Sequence, residues 1–417
     1  MKQERPYPKA IITRKAARAL AGGHPWVYAG EVIRMEPAAD GGEAQDGGIV
    51  DLFEENGTWQ GAALLSALST IRARLVTRNA NDRIDEAFWR RRIAWAWQHR
   101  VRTMGDDRAS CRAIFSEADG MPGLVADRYG DVLVTQVGTS GMERLRETIY
   151  PLLLEELGRA GESVSALFER CDSPAREREG LELRSGWWGE GPNDARIEIV
   201  ENGVRYALDL AGGQKTGYFL DQKYNRRAVA RLARGLRVMD AFCHVGSFGL
   251  NALAAGAAYA RFVDASKPAL AAAEANAQLN GFAPERCGST AADIVNWLPE
   301  LARDRSRLRD EGGPFDLIVL DPPAFAKRRS DVRSAARAYR AINEAALRIL
   351  PRGGYLATCS CSHFMTRDLL AEAITEAAHR AGVQLKQVEE RQQAPDHPVL
   401  WGFPESHYLD FFIFQVV

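Results

Sequence analysis

Two cysteines lie one residue apart in the stretch LATCSCSHF, which runs from Leu356 to Phe364. A structural zinc site would need about four ligands, and no cluster of Cys or His residues accompanies the pair. A disulfide across one intervening residue would be strained. Two interpretations remain: thiols of the core, or a thiolate nucleophile. Cys359 lies inside an apolar run and is interpreted as a core thiol, whereas Cys361, near His363, is placed to react.

A single carboxylate occupies the stretch LDPPAF, from Leu320 to Phe325. Asp321 ends an apolar run and precedes two prolines, which fix φ and remove two backbone donors. The resulting loop is stiff, and one carboxylate beside one aromatic ring could grip the edge and face of a flat base. A buried structural aspartate is the alternative interpretation.

A third stretch, DAFCHVGSFG, runs from Asp240 to Gly249 and predicts a turn between a strand and a helix. Gly246 and Gly249 permit a tight loop and close approach of the backbone to a ligand. The stretch is not the dinucleotide motif GxGxxG, and the sequence contains no GxxxxGK[ST]. This signal alone is weak, because an ordinary strand-to-helix turn explains it equally well.

Two acids follow the next two predicted strands. Asp264, in FVDAS, comes about 20 residues after the glycine loop, where an acid can accept hydrogen bonds from both hydroxyls of a ribose. Asp293, in AADIVNWL, comes where the third strand should end. It could hold the amine of an adenine ring, or it could cap the helix that follows.

These residues fall at the ends of strands that alternate with helices. From about residue 190 onward, short apolar strands and helices follow one another, which predicts a doubly wound, mainly parallel α/β sheet. Ligands of such sheets bind beyond the carboxyl ends of the strands, where the strand order reverses. The stretches that carry chemistry should therefore converge.

Two further regions precede this sheet. Short alternating segments and glycine-rich breaks predict a small β-rich domain over residues 1–78. An α+β middle domain follows over 79–190, and the α/β domain occupies 191–417. In the middle domain a helix is expected over about 85–103, with a stripe of Trp89, Ile93, Trp97 and Val101 in the core.

The composition identifies no partner. The net charge is −1, so the overall balance favours no class of ligand. No stretch reaches the roughly 20 apolar residues of a membrane helix, and the N-terminus has no secretory signal. The six cysteines are scattered without CxxC pairs, which indicates free thiols in a reducing cytoplasm. We expect neither a metal site nor a membrane partner.

Taken together, the motifs resemble those of the bacterial large-subunit ribosomal RNA cytosine-C5 methyltransferases, a family of class I S-adenosylmethionine-dependent enzymes. The resemblance covers nearly the whole chain. GGHPWVYAGEV resembles the start of that family's RNA-binding PUA domain, and SEADGMPGLVADRYGD and FERCDSPAREREGLE resemble its middle domain. GGQKTGYFLDQKYNR, LDPPAF, CSCSH and APDHPV are similar to further motifs. The resemblance implies a Rossmann-like methyltransferase domain, S-adenosyl-L-methionine as cofactor and large-subunit ribosomal RNA as partner.

The resemblance also implies roles for individual residues. Cys361 would be the nucleophile, and Asp321 and Pro322 would hold the target base. The residues that would form the cofactor cleft are Gln214, Lys215, Thr216, Gly217, Phe219, Asp221, Phe242, Gly246, Asp264 and Asp293.

The implied reaction explains the need for a cysteine. C5 of cytosine is a poor nucleophile, and a thiolate that adds to C6 makes C5 able to attack the sulfonium methyl. Asp321 would protonate or hydrogen-bond the N3/N4 edge as charge develops, with the base turned out of its RNA context. The loop FCHVG departs from the family's aromatic-Ser-Tyr-Thr-Gly, Ala324 stands where the family often has Lys, and the base that removes the C5 proton is not identified.

Basic residues follow the DPP loop and could clamp RNA phosphates beside the pocket. They are Lys327, Arg328, Arg329, Arg333, Arg337 and Arg340. A solvated helix face is the alternative interpretation.

Two other functions stay open on the sequence. One is a purine (guanine) N-methyltransferase of RNA, because DPP-type loops also serve exocyclic amines, although related guanine enzymes lack a cysteine that matches Cys361. The other is a non-catalytic RNA-binding or assembly factor, which the altered glycine loop would suit. The oligomeric state is also open, with a homodimer among the alternatives.

Overall fold

The computed structural model describes residues 5–212 and 217–417, and the chain forms two compact units. The first unit contains the chain up to Ile197 together with Leu208–Leu220 and Pro395–Ser406. The second contains Glu198–Ala207, Asp221–Ala394 and His407–Val417. In the described part of the chain, no helix is both long and apolar enough to cross a membrane.

The first unit begins with a six-stranded sheet in the order β2-β6-β5-β4-β1-β3. Its elements are β1 (Lys9–Ile12), α1 (Arg14–Ala21), β2 (Trp26–Tyr28), β3 (Val32–Glu36), β4 (Ile49–Glu54), β5 (Trp59–Leu65) and β6 (Ile71–Thr77). Small and branched apolar residues from the sheet and from α1 form one buried core. The predicted β-rich fold of this region is confirmed.

A five-stranded sheet follows in the order β11-β10-β9-β8-β7. Its elements are α2 (Glu86–Met104), β7 (Ser110–Phe115), β8 (Leu124–Tyr129), β9 (Val132–Val137), α3 (Ser140–Arg159), β10 (Ala166–Cys171) and β11 (Arg184–Trp187). A two-stranded sheet, β12 (Arg196–Glu201) with β13 (Val204–Asp209), comes next along the chain. The α+β middle region is thus as expected, while the exact boundaries at residues 78 and 190 stay predictions.

The apolar stripe expected along α2 is wrong at its last member. Trp89, Ile93 and Trp97 are buried, but Val101 is 41% exposed. An α-helix turns about 100° per residue, so Val101 points about 120° away from Trp89. Arg100 lies only about 20° from Trp89 by the same rule, and it is the fully buried residue of this turn.

The buried Arg100 guanidinium has a complete set of partners inside the first unit. It makes a bidentate pair with Asp119, with both N···O distances 2.7 Å, and it donates to the backbone oxygen of Asp396 at 2.8 Å. The Asp396 carboxylate in turn accepts from the backbone N–H of Arg112 and contacts the His397 ring. The motif APDHPV therefore ties the segment Pro395–Ser406 to this unit.

The second unit contains a seven-stranded sheet in the order β16-β15-β14-β17-β18-β20-β19. Its elements are α4 (Lys223–Leu232), β14 (Arg237–Ala241), α5 (Ser247–Ala254), β15 (Tyr259–Asp264), α6 (Lys267–Leu279), β16 (Cys287–Ala291), α7 (Ile294–Arg303), β17 (Leu317–Leu320), α8 (Val332–Ile349), β18 (Tyr355–Ser360), α9 (Arg367–Ala381), β19 (Leu385–Gln392) and β20 (Asp410–Val416). The first five strands of this order are parallel, and β20 is antiparallel to both its neighbours. The predicted mainly parallel α/β sheet is confirmed.

One strand of this sheet was not expected. The sequence of β19, LKQVEERQ, is mostly charged and amide residues, so it lacks the apolar run of the central strands. Charged side chains are typical of an edge strand, which must not pair with another chain. The strand order reverses between β14 and β17, and this point lies where the candidate residues were predicted to converge.

Candidate active site

The ends of β17 and β18 bring the DPP loop against the cysteine pair. The two strands are parallel neighbours, with Leu320 opposite Thr358, so the residue after β17 meets the last residues of β18. The Cys359 thiol lies 2.9 Å from Asp321 Oδ1, and the Cys361 sulfur lies 3.6 Å from the backbone oxygen of Pro322. The predicted convergence of these two motifs is therefore found.

The two thiols have different environments. Cys359 is fully buried, and burial raises the pKa of its thiol well above the usual value, with the Asp321 carboxylate acting in the same direction. Cys361 follows the last residue of β18 and is half-buried. Because a nucleophile must reach its substrate, Cys361 is the better placed of the two thiols.

Buried hydroxyls hold the Cys361 segment to its neighbours. Tyr339 donates to Ser360 Oγ at 2.9 Å, and Ser362 Oγ donates to the backbone oxygen of Ala326 at 2.6 Å. Phe325 packs on the Tyr339 ring at 4.9 Å between ring centroids. The DPP loop and the CSCS segment are thereby fixed to each other on both sides of Cys361. His363 is exposed on the same segment.

A glutamine that the sequence did not single out completes the contacts of Asp321. Gln222 Nε2 donates to Asp321 Oδ1 at 3.1 Å and to the Cys359 sulfur at 3.4 Å. Asn225 donates to Gln222 Oε1 at 2.6 Å. The only signal in the sequence was position, since Gln222 directly follows Asp221 in LDQKYNR.

The glycine loop after β14 is held through its backbone. Phe242 and His244 have positive φ angles of 63° and 49°, and the N–H of His244 donates to Asp264 Oδ2 at 2.9 Å. Gly246 also has a positive φ, and a Cβ there would lie 2.9 Å from the Cβ of Ala273. The loop is therefore held by backbone contacts that do not depend on its unusual side chains at Cys243, His244 and Val245.

Asp264 and Asp293 have different positions relative to this loop. Asp264 ends β15, is half-buried, and accepts from the N–H groups of His244 and Ser266, one on each oxygen. Each carboxylate oxygen has two acceptor sites, so both retain capacity for a ribose hydroxyl. Asp293 is exposed, caps α7 through the N–H of Val295, and contacts the Asn296 amide. Of the two roles predicted for Asp293, the structure shows the helix-capping role directly.

Burial and neighbouring carboxylates set the electrostatics of the strand ends. Burial raises the pKa of Asp240, at the end of β14, to about 7, and the Asp321 and Asp264 charges act in the same direction. Burial likewise raises the pKa of Asp321, although the Cys359 and Gln222 hydrogen bonds oppose the rise. Several carboxylates in one low-dielectric region suit a site that receives cationic or proton-donating groups.

The remaining predicted cofactor residues divide three ways. Asp221 lies in the second unit and accepts a 2.6 Å hydrogen bond from Tyr408. Gly217, with φ of 111°, and the half-buried Phe219 belong to the first unit. Gln214, Lys215 and Thr216 lie outside the described residues.

The predicted basic patch lies on and before α8. Lys327, Arg328, Arg329, Arg333 and Arg337 are exposed, and among the described residues they form no ion pair. Arg340, on the same helix face as Arg333 and Arg337, is instead paired with Glu376 of α9 at 2.7 Å. Five of the six cations are thus available to an anionic partner. Over residues 5–212 and 217–417, no group of three or more His, Cys, Asp or Glu side chains could hold a metal ion.

Comparisons with known proteins agree with this geometry. A family described as S-adenosylmethionine-dependent methyltransferase matches residues 178–403, more than half of the chain, and a PUA-like domain matches residues 10–78. The chain belongs to the S-adenosylmethionine-dependent methyltransferase family. S-adenosylmethionine is therefore its cofactor. Asp264 fits such a group because its carboxylate offers acceptors to a ribose, and the positive φ of Gly246 turns the loop directly into α5. Gly249 lies within α5, where the missing Cβ leaves room for Phe262.

Similar proteins span the whole length of this methyltransferase. The Ribosomal RNA large subunit methyltransferase I of Klebsiella pneumoniae strain 342 is 36% identical over 413 residues, covering 99% of each chain. The protein of the same name from Shewanella denitrificans is 39% identical over 396 residues, covering 94% of this chain and 95% of that one. Among solved structures, a methyltransferase from Streptococcus mutans has a TM-score of 0.79 at 20% identity, with 98% of this chain and 100% of that chain covered. This likeness shows the fold.

Proposed function

We propose that this methyltransferase forms 5-methylcytosine in large-subunit ribosomal RNA through a covalent bond between Cys361 and C6 of the target base. The observation that carries the proposal is the position of the half-buried Cys361 thiol. Its sulfur lies 3.6 Å from the carbonyl oxygen of Pro322, and Pro322 directly follows Asp321 in the DPP loop. The names of its relatives from several bacteria support large-subunit ribosomal RNA as the substrate.

The reaction begins at Cys361 and ends there. Its thiolate adds to C6 of cytosine, the C5–C6 double bond is lost, and C5 becomes electron-rich. When bound, S-adenosylmethionine supplies an activated methyl group on a sulfonium centre. As the bond from C5 to the methyl group forms, the bond from that methyl to sulfur would break, with a neutral thioether as leaving group. A base then removes the C5 proton, the C5–C6 double bond re-forms and the Cys361 thiolate leaves.

Asp321 would act on the opposite edge of the target base. Thiolate addition to C6 places negative charge toward N3 of the ring, and a protonated carboxyl beside N3 would neutralise it. The raised pKa of Asp321, caused first by its burial, favours the protonated form. Pro322 would help to hold this carboxyl at a constant distance from Cys361, because its ring restricts the backbone that links Asp321 to the carbonyl in contact with the Cys361 sulfur.

The remaining predicted residues would bind the two partners. Gln214, Lys215, Thr216, Gly217, Phe219, Asp221, Phe242, Gly246, Asp264 and Asp293 are proposed for the cofactor cleft. The exposed cations Lys327, Arg328, Arg329, Arg333 and Arg337, with Arg340, are proposed for RNA phosphates. We place the reaction in the cytoplasm, where the six cysteines, none of which forms a disulfide, would stay reduced. A homodimer stays a prediction.

A covalent trap tests the proposed chemistry. The protein is mixed with S-adenosylmethionine and large-subunit ribosomal RNA carrying 5-fluorocytidine, whose C5 cannot lose a proton. We expect a denaturation-resistant adduct that mass spectrometry maps to Cys361, that is absent in Cys361→Ala, and that persists in the control Cys287→Ala on edge strand β16. An adduct that maps to Cys359 would transfer the nucleophile to that thiol. Methyl transfer to unmodified RNA without any adduct would refute C5 chemistry and favour a guanine target.

A charge reversal tests the proposed RNA face. Arg333→Glu with Arg337→Glu should weaken RNA binding and reduce the slope of log affinity against log salt by about 1 to 2, because each phosphate contact contributes about 0.7 to 0.9. The matched control is Arg352→Glu with Lys386→Glu, which makes the same charge change at two exposed positions elsewhere. Equal salt slopes for the two double variants would remove α8 from the interface.

A further inference from the structure

Asp321 is held by a polar chain that reaches it through one oxygen only. Its Oδ1 accepts from the Gln222 amide at 3.1 Å and from the Cys359 thiol at 2.9 Å. A carboxylate oxygen has about two acceptor sites, so both sites of Oδ1 are taken. Among the described residues, no hydrogen bond reaches Oδ2.

The donor and acceptor roles in this series of hydrogen bonds are set by the Arg391 guanidinium, which can only donate. Arg391 Nε donates to Asn225 Oδ1 at 3.0 Å, and a guanidinium has no acceptor. The Asn225 amide must therefore present its NH₂ group to Gln222 Oε1, 2.6 Å away. Gln222 in turn must present its own NH₂ group to Asp321. The orientation of both buried amides follows from the Arg391 contact.

The side chains of this hydrogen-bonded series are buried near Asp321. Gln222 is 3% exposed, Asn225 is 1% exposed and Cys359 is fully buried. Buried polar groups whose partners are complete hold one arrangement, because any rotation leaves a donor or an acceptor unsatisfied. The Asp321 backbone N–H also donates to the Ala241 oxygen at 3.3 Å. The carboxyl group thus has little freedom to turn.

We propose that Gln222 and Cys359 are positioning residues that occupy Oδ1 of Asp321 and so leave Oδ2 as the single oxygen that meets the target base. Because two donors face Oδ1, the proton of a protonated Asp321 must lie on Oδ2. That arrangement offers one O–H donor to the base edge, which suits the N3 acceptor of cytosine and does not suit the N1–H donor of guanine. The inference rests on the proposed role of Asp321 and deepens it.

Paired substitutions at Cys359 test this role. Cys359→Ala removes one donor from Oδ1, and Cys359→Ser restores a donor of similar size. We expect kcat for methyl transfer to large-subunit ribosomal RNA to fall about 10- to 100-fold in Cys359→Ala, with S-adenosylmethionine affinity by calorimetry unchanged, and Cys359→Ser to recover most of the lost rate. Cys287→Ala is the matched control, with no effect on kcat expected.

The pH profile separates positioning from simple packing. Donors to Oδ1 stabilise the charged carboxylate, so removing either donor should raise the pH at which Asp321 titrates in the kcat profile. We expect this upward movement in Cys359→Ala and in Gln222→Leu, and its reversal in Cys359→Ser. If the substitutions only disturbed packing, kcat would fall but the pH at which Asp321 titrates in the kcat profile would not change.

The outcomes distinguish this inference from the proposed function. If Asp321→Ala keeps full turnover, the role of Asp321 itself is refuted. If Asp321→Ala loses turnover while Cys359→Ala and Gln222→Leu keep both the rate and the pH profile of the unaltered enzyme, only the positioning role is overturned.

Discussion

The carboxyl group of Asp240 should make the stability of the second unit fall as the pH rises from about 4 to 7. Asp240 is fully buried at the end of β14. Its Oδ2 accepts from the N–H of Gly249 at 2.8 Å, and its Oδ1 has no hydrogen-bond partner among the described residues. Ionisation therefore places a charge with a single donor in a medium of low dielectric, which is costly.

The size of the effect follows from the pKa. Burial raises the pKa of Asp240 from 3.8 to about 7, and each pKa unit corresponds to about 1.4 kcal/mol. Well below pH 3.8 the carboxyl is protonated in both the folded and the unfolded state. Between pH 4 and 7 the unfolded state loses its proton first, so the folded state is destabilised relative to it. Above pH 7 the full penalty, on the order of 4 kcal/mol, is present.

Asp240→Asn should abolish this pH dependence. The amide oxygen can still accept from the Gly249 N–H, and the side chain stays neutral at every pH. We therefore expect Asp240→Asn to be more stable than the unaltered protein at pH 8, by up to about 4 kcal/mol, and to differ little from it at pH 4.

Hydrogen exchange is the suitable assay, because a chain with two compact units has no single free energy of unfolding. The opening free energy of the β14 amides is measured at pH 4 and pH 8, after correction for intrinsic exchange. Asp310→Asn, at an exposed position, is the matched control for the loss of one negative charge. An equal pH dependence in Asp240→Asn and in the unaltered protein would show that another group is responsible.

Two further substitutions probe packing in each unit. Gly249→Ala would place a Cβ 2.6 Å from Cε1 of Phe262. We therefore expect a loss of about 1–3 kcal/mol in stability and weaker binding of S-adenosylmethionine by calorimetry. An unchanged affinity would show that this glycine does not support the cofactor site. Asp119→Ala leaves the fully buried Arg100 without its bidentate partner. We expect the opening free energy of the α2 amides in hydrogen exchange to fall by about 3–5 kcal/mol. A fall of less than about 1 kcal/mol would mean that backbone oxygens alone satisfy the guanidinium.

Much of the fold follows from local pattern. Apolar runs of four to six residues that alternate with helices predict a parallel sheet, because a parallel neighbour can be reached only through a long crossover connection, which is usually a helix. The strand-end residues Asp264, Asp321 and Cys361 were found in the same way. Since the carboxyl ends of parallel strands share one edge of the sheet, residues far apart in sequence could be expected to meet there.

Other features depended on side-chain burial, which local pattern does not report. The spacing of four along α2 concealed a drift of about 40° per step, so Val101 faces outward and Arg100 is buried in its place. Strand β19 escaped notice because an edge strand can be polar.

The sequence by itself determined the class of sheet, the order of its motifs and the residues able to do chemistry, since these depend on residue type and short-range periodicity. Only the tertiary structure decided which thiol is accessible and what holds Asp321. Cys359 and Gln222 are separated by 137 residues, yet both donate to one carboxylate oxygen. Such contacts arise where the strand edge and a preceding loop pack together, and no spacing along the chain encodes the distance between them.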